Sequence, residues 1–233
     1  MTLPPGQWVV DGFPRFGAAL DQPPPRVPPG SAIEVVGLAG DEGAVTADEL
    51  AGLPRVELEA DFHCVSGWTA LGLRWEGVRL ADVLGPRLGS GAERPAYVVL
   101  EGHDGYRAVL ALEDALGEDV LLADRLGGEP LTPEHGAPLR VVSPQQYGFV
   151  SVKHLRRIEL HATEPRLRYH PVASVDRGLR LVKPHRRARV WREERHRYVP
   201  AWVVRRVYRL VVPRLAPRVA PGRAGVDRLG ADR

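Results

Sequence analysis

The chain has 233 residues, enough for one substantial core with a tail or a small second unit left over. Its 44 % hydrophobic content is ordinary for a globular protein, its single cysteine excludes an intramolecular disulfide framework, and no apolar run is long enough to span a bilayer. The net charge of +3 hides an asymmetry: residues 1–165 hold 13 Lys/Arg against 24 Asp/Glu, a net of −11, and residues 166–233 hold 19 against 5, a net of +14.

In chain order, Met1–Gly6 carries no basic stretch followed by an apolar run and no twin-arginine pair, so no export signal is read and a cytoplasmic protein is expected. Residues 1–30 form a Pro-rich arm that ends in Pro23-Pro24-Pro25-Arg26-Val27-Pro28-Pro29-Gly30, a run that favours extended geometry draped over a domain. The domain proper is expected over 31–165. Ile33–Leu38 reads as a strand, and Thr46 with Glu49 three residues on is a capping box for a short helix. Val56-Glu57-Leu58-Glu59-Ala60-Asp61-Phe62 alternates apolar and polar residues, the pattern of a strand with one buried face. That strand breaks into His63-Cys64-Val65-Ser66-Gly67-Trp68, where a thiol faces a Gly-containing turn. Cys64 can be a buried small hydrophobe or a presented reactive group.

Leu80–Leu84 is a short helix stopped by Gly85-Pro86, and Tyr97-Val98-Val99-Leu100 is a buried strand. It empties into the polar loop Glu101-Gly102-His103-Asp104-Gly105-Tyr106-Arg107, either a tight turn of solvated groups or a substrate-facing loop. A short helix is expected over 112–116, strands over 120–123, 139–142 and 152–160, and a turn at Gly127-Gly128. Many short strands with few short helices define an α+β domain with mixed sheet. No GxGxxG, phosphate-binding loop or paired His/Cys zinc spacing occurs.

Residues 166–233 form an Arg-rich extension. Val190–Arg197 reads as a charged helix. Trp202–Val212 reads as an amphipathic helix with Arg205, Arg206 and Arg209 in one arc, Pro200 in its first turn and Pro213 at its end. This basic helix can dock on the acidic body or a second copy of the chain in a homodimer, lie on an anionic membrane surface, or bind a partner protein. Arginine density without a reading module gives no sequence-specific nucleic-acid binding. Residues 214–233 are expected to be disordered.

Asp61-Phe62-His63-Cys64-Val65-Ser66-Gly67-Trp68 with Arg74-Trp75-Glu76-Gly77-Val78 resembles the cysteine segment of the sulfite oxidase fold superfamily, enzymes that carry a molybdenum–molybdopterin cofactor. A second segment matches in the same order: His135-Gly136-Ala137-Pro138-Leu139-Arg140-Val141-Val142, Pro144 and Tyr147-Gly148-Phe149-Val150-Ser151-Val152-Lys153. The resemblance covers roughly residues 8 to 164 and is nearest to small, haem-free bacterial proteins similar to the catalytic subunit of protein-methionine-sulfoxide reductase. It implies Cys64 as the one protein ligand of molybdenum, a soft thiolate suited to a metal already held by sulfur. It implies cofactor contacts from Pro14, Arg15, His63, Gly102, His135, Arg140, Ser151, Val152 and Lys153. It places His103, Asp104, Tyr106 and Arg107 at the substrate. Val150 and His154 stand where many relatives carry lysine and tryptophan.

The resulting expectation is a molybdopterin oxidoreductase that moves an oxygen atom to or from a sulfite-like anion or a sulfoxide. It has no haem of its own and exchanges electrons with a separate partner. The rival is a non-catalytic interaction protein that keeps the fold and acts through its basic tail. A thiol enzyme with Cys64 as nucleophile and His63 as base is disfavoured, because adjacent strand residues point to opposite faces.

Overall fold

The computed structural model describes residues 2–14, 23–38, 42–89, 93–167 and 185–215. Eleven strands are described: β1 (Trp8–Val9), β2 (Ile33–Gly37), β3 (Gly43–Val45), β4 (Arg55–His63), β5 (Trp68–Arg79), β6 (Tyr97–Gly102), β7 (Arg107–Ala111), β8 (Leu121–Leu126), β9 (Glu129–Pro130), β10 (Arg140–Val142) and β11 (Leu155–His161). Four helices join them: α1 (Ala47–Ala51), α2 (Leu80–Leu84), α3 (Leu112–Ala115) and α4 (Ala201–Leu215). The architecture is α+β.

One sheet runs β1-β5-β8-β10, with β4 also on β5 and β9 on β8; the other runs β3-β2-β11-β6-β7. Side chains alternate across a strand, and the sequence uses this on β8. Leu122 enters the main core shared with Ile33, Val35, Leu100, Ile158 and Leu160 of the second sheet. Leu121 and Ala123, pointing the other way, join a second cluster with Trp68, Trp75, Phe13 and Cys64. The first sheet is therefore covered on both faces, and Cys64 sits in the smaller apolar layer.

β4 and β5 form a long antiparallel hairpin in which Leu58 faces Trp75 and Phe62 faces Ala70. The register slips at Asp61, between Ala60 and Phe62. The freed Asp61 carboxylate accepts the Gly72 amide at 3.0 Å, which stabilises the bulge. The capping box forms as read: Thr46 Oγ1 accepts the Glu49 amide at 3.2 Å.

Three expectations need correction. Val190–Arg197 is not a helix but a chain of turns, with Ala188 and Glu193 at φ 51° and 54°. Ala188, Val190 and Arg195 are buried, so tertiary burial overrides local helical preference. The last strand begins at Leu155 rather than Val152, because His154, at φ 52°, interrupts the extended chain. α4 starts after Pro200, whose carbonyl accepts the Val203 and Val204 amides, and it runs through Pro213 to Leu215. On α4, Val204 is buried while Trp202, Val207 and Leu210 are exposed; the Arg209 side chain lies outside the described residues, as do Arg15 and the end of the chain beyond Leu215. No helix among the described residues is long and apolar enough to cross a membrane.

Candidate cofactor site

Cys64 opens the four-residue turn between β4 and β5. Its amide donates to the Trp68 carbonyl at 2.8 Å, and its carbonyl accepts the Gly67 amide at 3.0 Å. A side-chain relay fixes the turn from beneath. His63 Nδ1 lies 2.9 Å from Thr69 Oγ1, the Thr69 hydroxyl donates to Gln7 Oε1 at 3.2 Å, and Gln7 Nε2 donates to the Cys64 carbonyl at 3.2 Å. Because the threonine proton goes to Gln7, His63 Nδ1 carries the proton it donates. Burial pushes the His63 imidazole down, so it is neutral near pH 7. Cys64 is 6 % exposed, and its sulfur lies 2.9 Å from Ser66 Oγ. Burial pushes its thiol up, opposed by the Ser66 hydrogen bond and the charge of Arg195.

Cys64 borders a cavity of ≈ 250 Å³. Pro14, Cys64, Asp104, Tyr106, Arg140, Ser151, Val152 and Lys153 line it, together with an aromatic wall of Phe13, Phe62, Trp68 and Phe149. Arg140 is the unusual member. Its side chain is fully buried, and it makes no ion pair among the described residues. It donates to the carbonyls of His135 at 3.0 Å and Ser151 at 3.2 Å. The rings of Trp75, Phe62 and Phe13 surround the guanidinium at 5.0, 5.4 and 5.6 Å. Burial pulls this guanidinium down to about 9. A cation held that way lacks an anion, and an anionic group in the adjoining cavity would supply one.

The remaining sequence-derived candidates fall around this cavity without lining it. His63 points to the Thr69 side. His135 sits one layer back: its Nε2 meets the Phe13 carbonyl at 3.1 Å, and its ring stacks on Phe13 at 5.0 Å. It thereby fixes the residue before Pro14. Gly102 lies against Lys153, where a Cβ would stand 2.6 Å from the Lys153 carbonyl oxygen. His103 is tied by its amide to the His154 carbonyl at 2.8 Å, and its Nε2 is buried without a hydrogen-bond partner among the described residues. Arg107 turns away to Glu159 at 2.6 Å and Glu101 at 3.3 Å, and it lines a separate cavity of ≈ 180 Å³. The wall between the two cavities is the Tyr106 hydroxyl donating to the Phe149 carbonyl at 2.8 Å.

Lys153 Nζ donates to the Glu134 carbonyl at 2.7 Å at the cavity rim. Val150 is fully buried in the main core, so a longer cation at that position would have to leave the apolar layer to meet an anion. His154 is buried, with Nδ1 donating to the Ala137 carbonyl at 2.6 Å. The aromatic wall and Arg195 had no signature in the sequence, since each is assembled from segments far apart in the chain.

Among the described residues no three of His, Cys, Asp and Glu group together. Around the cavity stand one soft thiol, one buried cation, one rim cation and the Asp104 carboxylate, which accepts the Tyr106 amide. This fits a metal whose other ligands arrive on an anionic, sulfur-bearing cofactor.

A family model, the oxidoreductase molybdopterin binding domain, matches residues 23–169. The chain is 38 % identical over 157 residues to the uncharacterized oxidoreductase YuiH of Bacillus subtilis, covering 67 % of this chain and 78 % of that protein. It is 31 % identical over 163 residues to the protein-methionine-sulfoxide reductase catalytic subunit MsrP of Xanthomonas campestris, covering 63 % and 50 % of the two chains. It is 29 % identical over 193 residues to the mitochondrial sulfite oxidase of Homo sapiens, covering 69 % and 35 %. The match thus spans half of MsrP and about a third of sulfite oxidase. The sulfane dehydrogenase SoxCD of Paracoccus pantotrophus has the same fold, with a TM-score of 0.53 at 24 % identity over 60 % of this chain and 40 % of that one. These matches place the chain in a class of molybdopterin-binding oxidoreductases: it belongs to the oxidoreductase molybdopterin binding domain family. Within it, the chain is sulfite oxidase-like and related to MsrP.

Proposed function

We propose that the protein binds a molybdenum–molybdopterin cofactor through Cys64 and catalyses oxygen-atom transfer to or from a small sulfur-centred substrate, a sulfite-like anion or a sulfoxide. The observation that carries this reading is the shared cavity: the one thiol of the chain and a fully buried guanidinium, without an ion pair among the described residues, face the same space. Cys64 would ligate the metal as its thiolate. Arg140 and Lys153 would neutralise the cofactor's anionic end, and the backbone at Ser151 and Val152 would shape its seat. When bound, the cofactor would supply the two-electron redox chemistry. Phe13, Phe62 and Trp68 exclude water from that seat, which strengthens every charge interaction inside it. Asp104 and Tyr106 stand at the mouth. The Asp104 carboxylate accepts the Tyr106 amide at 3.0 Å, so the two hold each other in place for a polar substrate. The electrons would pass to or from a separate partner protein.

The test is elemental analysis of the wild type beside Cys64→Ser, expressed in a host that makes molybdopterin. Near-stoichiometric molybdenum with a visible thiolate-to-metal absorption band, lost in the variant, is expected; turnover is then assayed with sulfite and with methionine sulfoxide. Folded wild type without molybdenum would refute the reading.

A further inference from the structure

The family domain covers residues 23–169, yet two segments outside it close on the Cys64 turn. The first is residues 4–10. The Trp8 amide donates to the Gly67 carbonyl at 2.8 Å, the Val10 amide to the Thr69 carbonyl at 3.0 Å, and Gln7 holds the Cys64 carbonyl. The second is residues 185–197, which the Tyr147 amide joins by donating to the Ala188 carbonyl at 2.9 Å. The two segments meet at one side chain. Arg195 is 2 % exposed. It donates to the Val65 carbonyl at 2.8 Å, to the Tyr147 hydroxyl at 3.0 Å, and to the Pro5 and Gly6 carbonyls at 3.1 and 3.2 Å. Its guanidinium carbon lies 5.1 Å from the Tyr147 ring centre.

Two glycines make this junction possible. Gly6, at φ +69°, leaves room for the guanidinium: a Cβ there would stand 2.9 Å from an Arg195 terminal nitrogen. Gly67, at φ +107°, lets the Trp8 ring lie over the turn, where a Cβ would come within 2.4 Å of it. Arg195 therefore fixes the turn twice. It grips the carbonyl next to Cys64 directly, and it places Gln7, which grips the Cys64 carbonyl itself. Lysine has the charge but not the planar fork that serves several acceptors at once.

We propose that Arg195 is a positioning residue for the Cys64 sulfur, so that the segment 185–197 forms the back wall of the cofactor site; this rests on the reading of Cys64 as the metal ligand. The test compares wild type, Arg195→Met, Arg195→Lys and Tyr147→Phe. Two readouts are taken: the rate of Cys64 alkylation by iodoacetamide in cofactor-free protein, and the thiolate-to-metal absorption band of protein loaded in a molybdopterin-making host. Arg195→Lys keeps the charge that favours the thiolate and loses the fork, so it is expected to speed alkylation about tenfold, as the loss of about 1.4 kcal/mol of restraint would, and to shift the band. Arg195→Met loses the charge as well, so its alkylation should be slower than that of Arg195→Lys, with the band shifted. If Arg195→Lys does not fold, Tyr147→Phe decides, with a two- to threefold faster alkylation and a smaller shift expected. A folded Arg195→Lys with the wild-type alkylation rate, or with a faster rate but an unshifted band, overturns the proposal. Should the wild type take up no molybdenum, the function reading fails, and the alkylation series alone decides the role of Arg195.

Discussion

Replacing Arg140 by methionine separates a cation kept for a ligand from one kept for the fold. Burial brings its guanidinium from the usual range down to about 9, which corresponds to roughly 5 kcal/mol of penalty on the charged form. Against this stand the hydrogen bonds to His135 and Ser151 and the contacts to three rings, at about 1 kcal/mol each. The two sides nearly cancel. Arg140→Met should therefore change the stability of cofactor-free protein by no more than about 2 kcal/mol in urea unfolding at pH 7. Cofactor retention should behave differently, because charge-assisted bonds to an anion contribute about 2–3 kcal/mol, and a 30- to 150-fold weaker hold is expected as lost molybdenum on dialysis. The pH dependence has a definite sign. The folded value lies below the unfolded one, so the penalty is complete below pH 9 and shrinks as pH rises above it. Between pH 9 and pH 10 the wild type should gain roughly 1 kcal/mol on the variant. A cofactor-free variant destabilised by more than about 4 kcal/mol, with molybdenum content unchanged, would refute this account of Arg140.

Other outcomes follow from single contacts. Ser66→Ala removes the hydroxyl 2.9 Å from the Cys64 sulfur; at about 1 kcal/mol for the bond, alkylation of the cofactor-free thiol at pH 8 should slow roughly fivefold, and an unchanged rate would show that the hydroxyl does not hold the thiolate. In the wild type, burial raises the Cys64 thiol, so the alkylation rate should climb about tenfold per pH unit from pH 7 to beyond pH 9 without levelling; a plateau below pH 8.5 contradicts the assigned direction. Thr46→Ala deletes the cap on the Glu49 amide and should cost about 1 kcal/mol in urea unfolding with no effect on molybdenum content.

Much of this architecture was legible wherever the determining signal is local. Thr46 and Glu49 lie three residues apart, and the apolar alternation from Val56 to Phe62 identifies β4 before any contact is known. Cys64 stood out by its neighbours. What the sequence could not display depends on distant segments meeting. The Phe13–His135 stack joins residues 122 apart. The bulge at Asp61 depends on the Gly72 amide across the hairpin. Val190–Arg197 carries helical charge patterning, but the burial of Ala188, Val190 and Arg195 outweighs it. Arg107 and Asp104 are equally polar and share a loop. Only the carboxylates of Glu101 and Glu159, brought up by β6 and β11, turn Arg107 out of the cavity.

The Arg195 junction also sets an order of events in biogenesis. Its hydrogen bonds reach back 190 residues to Pro5 and 130 to Val65. A chain leaving the ribosome can fold the β4–β5 hairpin early, because its partners are neighbours in sequence. The turn that presents the sulfur is not clamped until Arg195 has emerged and found both strands of its grip. A chain interrupted between β11 and Arg195 would offer its thiol from an unclamped turn.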